Sequence, residues 1–207
     1  MGKTWCVGVL ALLLVSFGTM ATAATIRVSP ATSTIQAAIT AAVDGDLILL
    51  ADGTYAGAGN RMIDFGGKKI VVRSENGARN CIIDSTGSDW GFYFHTGETA
   101  SSELRGVTIQ NASLAGIYLD ENAAPTISTC VIQTNLGDGV HAYAATAVID
   151  NCLITGNTGN GVYALSASLT LSNSEVSSNT LAGIACDSAS PIISATIISG
   201  NTTGGLI

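Results

Sequence analysis

The chain has 207 residues, 47% hydrophobic, 11% charged and 5% aromatic, with 24 glycines and a formal net charge of −7. Low charge with that apolar content excludes a disordered chain, and the length suffices for one domain with a sizeable core. Beyond Arg105 stand only carboxylates (Asp120, Glu121, Asp138, Asp150, Glu175, Asp187) and no basic residue, so no nucleic-acid partner is expected, because a phosphate backbone needs cations to displace its counterions.

The opening MGKTWCVGVLALLLVSFGTMATAA sets Lys3 before an apolar run, Val7 to Val15, and an A-x-A site at Ala21-Thr22-Ala23. This is the layout of a signal peptide over residues 1–23, which predicts a secreted, periplasmic or cell-surface protein starting near Ala24. The run is too short to span a bilayer and no later stretch reaches its length, so no membrane span is expected. Cys6 precedes the run, which argues against a lipid-modified cysteine at the cleavage site. Cys81, Cys130, Cys152 and Cys186 follow. They are too few for a disulfide scaffold, and none forms a C-x-x-C pair for zinc.

Next, Ile35, Ala38, Ile39 and Ala42 form an apolar stripe at helical spacing behind a Ser33/Thr34 cap. A short helix is predicted there, within an N-terminal cap region over 24–60. Coils follow over 61–207, and their signature is a repeat. CVIQTNLGDGVHA begins at Cys130, CLITGNTGNGVYA at Cys152, SEVSSNTLAGIAC at Ser174 and TIISGNTTGGLI at Thr196, a period of 22. GVTIQNASLAGIYL (106–119) fits with a period of 23, and CIIDSTGSDWGFYF (81–94) loosely with 25 or 26. A fixed period with one elastic point marks a loop of adjustable length.

Within each period the alternation is that of strands. Ile127, Ile149, Leu171 and Ile193 point in, with Ser128, Asp150, Ser172 and Ser194 out. Ile132, Ile154, Val176 and Ile198 form a second inward column, with Val131, Leu153, Glu175 and Ile197 facing out. Val140, Val162, Ile184 and Leu206 form a third, with His141, Tyr163 and Ala185 out. Three strands per period, joined by turns of one or two residues, describe a triangular coil, and stacked coils lie roughly 4.8 Å apart in parallel register. Asn135, Asn157, Asn179 and Asn201 share one column and are expected to stack as a hydrogen-bonded ladder at a turn, in the left-handed conformation. Gly139, Gly161, Gly183 and Gly205 share another, where a side chain is expected to clash. A leucine-rich repeat has a similar period but needs a dense leucine framework that is absent here.

The pattern LTLSNSEVSSNTLAGIAC, with Asn173 at a first turn and Asn179 at a second, resembles the right-handed parallel β-helix repeats of the pectin-lyase-like superfamily. TSTIQAAITAAVDGDLILLADGTY resembles the opening segment of these proteins, a short helix before a strand and a G-T-Y turn. The implied fold is all-β: a right-handed parallel β-helix of three short strands and about 22 residues per coil, capped by the helix. The chain stops at NTTGGLI with Leu206 in an unfinished coil, so further coils or a partner are expected over the open end.

The resemblance implies enzymes that cleave or epimerise polysaccharides, with Asp clusters on one outer face and, in calcium-dependent lyases, an Arg base. Asp150 stands alone in its outward column between Ser128 and Ser172. It cannot supply the two carboxyls, roughly 5–9.5 Å apart, of a glycosidase, nor converging calcium ligands. Asp64, Asp84, Asp89, His95, Glu98, Glu103 and Arg105 show no spacing that recommends a site. In DWGFYFHTGE (89–98), Phe92 and Phe94 alternate inward and Tyr93 outward. Tyr93, Tyr118, His141 and Tyr163 thereby form an outward aromatic column that either stacks on a glycan or merely pairs across exposed strands. Both histidines read as surface residues.

Cys130 and Cys152 hold equivalent inward positions. Their Cα atoms fall near disulfide separation, although burial as two stacked thiols is the simpler account. No cofactor is expected, with calcium at Asp120, Glu121 and Asn122 as the open alternative. The reading is a secreted or surface solenoid that binds extracellular polysaccharide, neutral unless calcium bridges, or another surface component, without catalysis. The alternative is an N-terminal fragment of a polysaccharide lyase, hydrolase or epimerase.

Overall fold

The computed structural model describes residues 22–207, so all but the last two residues of the segment read as a signal peptide lie outside the described residues. Short strands build three parallel sheets of eight, seven and seven strands, which the chain visits in fixed rotation. The first sheet runs from Thr25–Val28 to Ile192–Ser194, the second from Gly53–Ala56 to Ile197–Ser199 and the third from Ile63–Asp64 to Gly204–Leu206. Each strand pairs with its equivalent in the next coil, so one inward residue per strand stacks on its own kind. In the first sheet the column from Val72 to Ile193 passes through Leu104, Ile127, Ile149 and Leu171. The second carries Tyr55, Ile83, Ile109, Ile132, Ile154, Val176 and Ile198. The third carries Ile63, Phe92, Ile117, Val140, Val162, Ile184 and Leu206. Leu206, in the last strand, is exposed; burying each enclosed side chain of these columns stabilises the coil by about 1.5–3 kcal/mol, which makes them the main source of cohesion.

The helix Ile35–Ala41 lies over the first coil with Ile35, Ala38 and Ile39 buried. The Thr34 hydroxyl accepts from the N–H of Ala37 at 3.2 Å. At the other end, Lys68 Nζ donates to the carbonyls of Ile39, Thr40 and Ala42 at 2.6, 2.9 and 2.7 Å, a cation on the negative pole of the helix. Gly53, Thr54 and Tyr55, expected as a turn, are a strand of the second sheet, with the Tyr55 hydroxyl donating to Val28 O at 2.9 Å.

The corners differ from expectation. Asn135, Asn157, Asn179 and Asn201 are not left-handed; the residues before them, Thr134, Gly156, Ser178 and Gly200, are, at φ 52°, 65°, 58° and 65°. Asn151 and Asn173 do take the left-handed form, at φ 52° and 49°, at the corner between the first and second sheets. Nor are all corners of one or two residues: between the strands Leu153–Thr155 and Val162–Leu165 the chain runs through 156–161.

The Asn column instead points inward and is hydrogen-bonded throughout. Asn157 Oδ1 accepts from the backbone N–H of Asn135 at 3.0 Å and from its Nδ2 at 2.9 Å. Asn157 Nδ2 donates to Ile132 O at 3.2 Å and to Asn179 Oδ1 at 3.0 Å. Asn179 repeats the arrangement with Ile154 O and Asn201. The glycine column faces this file. A Cβ on Gly139 would lie 2.5 Å from Ile154 Cγ2 and 2.8 Å from Asn157 Nδ2, so the clash expected from the sequence is with the Asn file itself.

Cys130 and Cys152 are buried free thiols. Each sits within 3.3 Å of the carbonyl two residues earlier, Ser128 or Asp150. Ser174 and Thr196, next in the column, donate to the equivalent carbonyls of Ser172 and Ser194 at 2.7 and 2.9 Å. A small side chain with a hydrogen to give is what that position requires.

Candidate functional site

The outer face of the third sheet gathers the aromatic residues. Tyr93, Tyr118, His141 and Tyr163 occupy one register in successive coils, with Asp64 before them and Ala185 after. Tyr118 stacks on His141 at 5.0 Å and 13° between planes. Tyr93 meets Tyr118 at 5.5 Å, and His141 meets Tyr163 at 4.9 Å. Two members escaped the sequence reading. His95, two residues beyond Tyr93 on the same face, stacks on it at 4.1 Å; alternation alone would have found it. Trp90 packs on Tyr93 at 4.9 Å and Tyr118 at 5.1 Å. Strict alternation points Trp90 inward, but Gly91 and Phe92 are both buried, which shifts the pattern by one residue. Ala185 has the register of the column but is buried, so the aromatic row ends at Tyr163.

Single carboxylates border the row, each held by a different ring. Tyr93 donates its hydroxyl to Asp120 Oδ2 at 2.9 Å. His95 Nε2 lies 3.1 Å from Asp64 Oδ2, and His141 Nδ1 lies 3.0 Å from Asp138 Oδ2. The histidines are therefore members of the row, each held by a carboxylate. Asp120, placed in a calcium reading, has its second oxygen accepting from the N–H of Glu121 at 2.9 Å. Among the described residues no three or more His, Cys, Asp or Glu side chains converge as metal ligands. Beside the row a hollow of about 450 Å³ opens between Trp90, Leu114, Ala115, Tyr118, Asp138 and His141. Leu114 forms an exposed apolar wall, and the Trp90 indole N–H is shielded from solvent without an acceptor among the described residues.

Burial, then the bond to Asp120 and its charge, push the Tyr93 hydroxyl up to about 12. Its neutral form therefore favours the folded state fully below the ordinary tyrosine value of about 10, and that contribution is lost as pH rises from about 10 to about 12. Ultraviolet titration of Asp120→Asn should show one tyrosine ionising earlier than in the parent; an unchanged profile would refute the contact.

Asp150 is held below the usual carboxylate range by bonds from Ser172 Oγ at 2.6 Å and Asn173 Nδ2 at 2.8 Å. A group that releases its proton so readily is a poor general acid at neutral pH. Apart from Asp64 and His95, the amino-terminal polar residues disperse. Glu98 is buried, accepting from the N–H groups of Gly67 and Thr96 at 2.9 and 3.0 Å, and Asp84 binds Thr86 and Asn111.

No helix of the described residues is long and apolar enough to cross a membrane. No curated protein sequence matches the chain significantly. Among solved structures, pectate lyase Pel9A is similar with a TM-score of 0.72 at 17% identity, over 88% of this chain and 55% of that one. A pectin methylesterase mutant in complex with a hexasaccharide gives 0.57 at 12% identity, over 85% and 67%. The chain thus spans about half the length of the pectate lyase, and at these identities the likeness is one of fold. The model of the right handed beta helix region matches residues 25–168 and 90–207. With three parallel sheets wound in that manner, the chain belongs to the right-handed β-helix family.

Proposed function

We propose that the chain is a secreted or surface β-helix that binds a neutral extracellular polysaccharide along the aromatic row, without transforming it. One observation carries this reading: rings from three successive coils, Tyr93, Tyr118 and His141, joined by Tyr163 in a fourth, follow one another at 4.9–5.5 Å on an outer face. The rings stack largely on one another, so such a row presents ring edges and polar tips to an extended ligand at the coil repeat, while flanking carboxylates accept hydroxyl hydrogens. The carboxylates of Asp64, Asp120 and Asp138 beside the rings disfavour uronates. Arg61, two residues ahead of the strand Ile63–Asp64, donates to Thr86 O.

Affinity for immobilised neutral glycans should fall at least about tenfold when Tyr118 and Tyr163 both become Ala, equivalent to about 1.4 kcal/mol. Unchanged binding by a folded double variant would refute the row as the site.

The second reading, part of a polysaccharide-cleaving enzyme, draws on the Asp138–His141 pair, since a carboxylate-oriented imidazole is a competent base. Release of reducing ends or unsaturated products, abolished by His141→Gln, would establish it in place of the first.

A further inference from the structure

We propose that the outer face of the first sheet carries an anion site built on Arg73 and Arg105, which takes an oxyanion substituent, a sulfate ester or a carboxylate, on an extracellular ligand. The two arginines are direct neighbours in adjacent coils. Like charges opposite one another across a pair of strands are destabilising, at a strand spacing of about 4.8 Å. The carboxylates at hand neutralise them only in part. Glu75 is taken by Arg27. Glu103 accepts from Ser128 Oγ at 3.0 Å and comes no closer than 4.0 Å to Arg105 Nη1. Arg73 donates only to the carbonyl of Ser74, at 3.3 Å, among the described residues. The two arginines share one loosely placed carboxylate, so an oxyanion on a ligand would complete their neutralisation.

The surroundings suit an anion. A groove of about 420 Å³ is lined by Arg73, Ser74, Gly77, Arg105, Gly106 and Thr129, with Glu75, the partner of Arg27, at its wall. Gly77 and Gly106 sit at positive φ, 91° and 64°, and a Cβ at Gly77 would meet nothing within 4 Å, so the groove floor is bare backbone there. Ser74 is 5% exposed; its hydroxyl accepts from the N–H of Gly77 at 3.0 Å and has its hydrogen left to donate. Two guanidinium groups and a hydroxyl match the acceptor-only character of an oxyanion, and guanidinium pairs with it in a planar, two-bond mode. This face is separate from the aromatic row, so the proposal stands or falls apart from it.

The test uses the full chain with sodium sulfate, sodium acetate and sodium chloride at matched ionic strength. Sulfate stabilises proteins in general, so the decisive quantity is the difference between the parent and the variants Arg73→Gln and Arg105→Gln. The parent should bind sulfate or acetate by calorimetric titration at least tenfold more tightly than either variant. In chloride alone each variant should melt no lower than the parent, because the repulsion is gone. A stronger response to sulfate assigns an ester sulfate, a stronger response to acetate a carboxylate. Equal affinity in parent and variants, or variants that melt lower in chloride, would overturn the site.

Discussion

Asn157→Ala is expected to lower stability by about 4 kcal/mol, far beyond an average substitution. The side chain is fully buried and makes hydrogen bonds to Ile132, Asn135 and Asn179. Truncation leaves the backbone N–H of Asn135, one hydrogen of its Nδ2 and the carbonyl of Ile132 without those partners in a dry interior. Each orphaned group costs about 1–3 kcal/mol. Asn201→Ala is the matched control. Asn201 is half-exposed at the end of the file, so its loss should cost about 1 kcal/mol or less. Urea unfolding followed by far-ultraviolet circular dichroism checks both; equal, small shifts would mean that the file contributes nothing as a connected unit.

The columns behind that prediction were legible because the fold is one-dimensional. Residues 22 apart touch, so contact is written directly into the period. What could not be read was the backbone at the corners. Thr129, Thr134, Ala144, Ser166, Ser178, Ser188 and Ala195 are left-handed, although none is a residue type that favours it. The reason is tertiary. Thr129 donates its N–H to Asp150 O, Thr134 to Thr155 O and Ser178 to Ser199 O. The parallel hydrogen-bond pattern continues around each corner, and a coil on one side offsets a strain of about 1 kcal/mol that no single turn would bear.

The site was legible in part for a similar reason. Tyr93, Tyr118, His141 and Tyr163 follow from the period alone. Trp90 does not, because Gly91 and Phe92 both turn inward where a Cβ on Gly91 would lie 2.6 Å from Ile109 Cγ2. Asp64 and Asp120 come from less regular segments, the first coil of the third sheet and the loop of variable length, where no spacing predicts a neighbour. The Arg73–Arg105 pair was hidden likewise: the two are 32 residues apart in a stretch without a fixed period.

Gly161→Ala should be severely damaging, costing about 3 kcal/mol or preventing folding. Its φ is not in the left-handed region, so the objection to a side chain is space alone. A Cβ would stand 2.3 Å from Val176 Cγ1, 2.6 Å from the carbonyl oxygen of Gly183 and 2.8 Å from Asn179 Nδ2. Val176 can rotate away, but the carbonyl is backbone in the next coil and the amide is held at both ends. Relief therefore requires the coils to part, which lengthens the hydrogen bonds of Asn157 and Asn179 as well. Two further glycines separate crowding from conformation. Gly156→Ala has room, with its nearest atom at 3.9 Å, but sits at φ 65°, so it should cost about 1 kcal/mol through the backbone. Gly205→Ala has neither obstacle, its nearest atom being 3.4 Å away, and should be close to neutral. Thermal melting of the three variants should rank them in that order. A Gly161→Ala protein as stable as Gly205→Ala would mean that the coils have slack between them, and the tight register that stacks Asn on Asn and ring on ring would then be wrong.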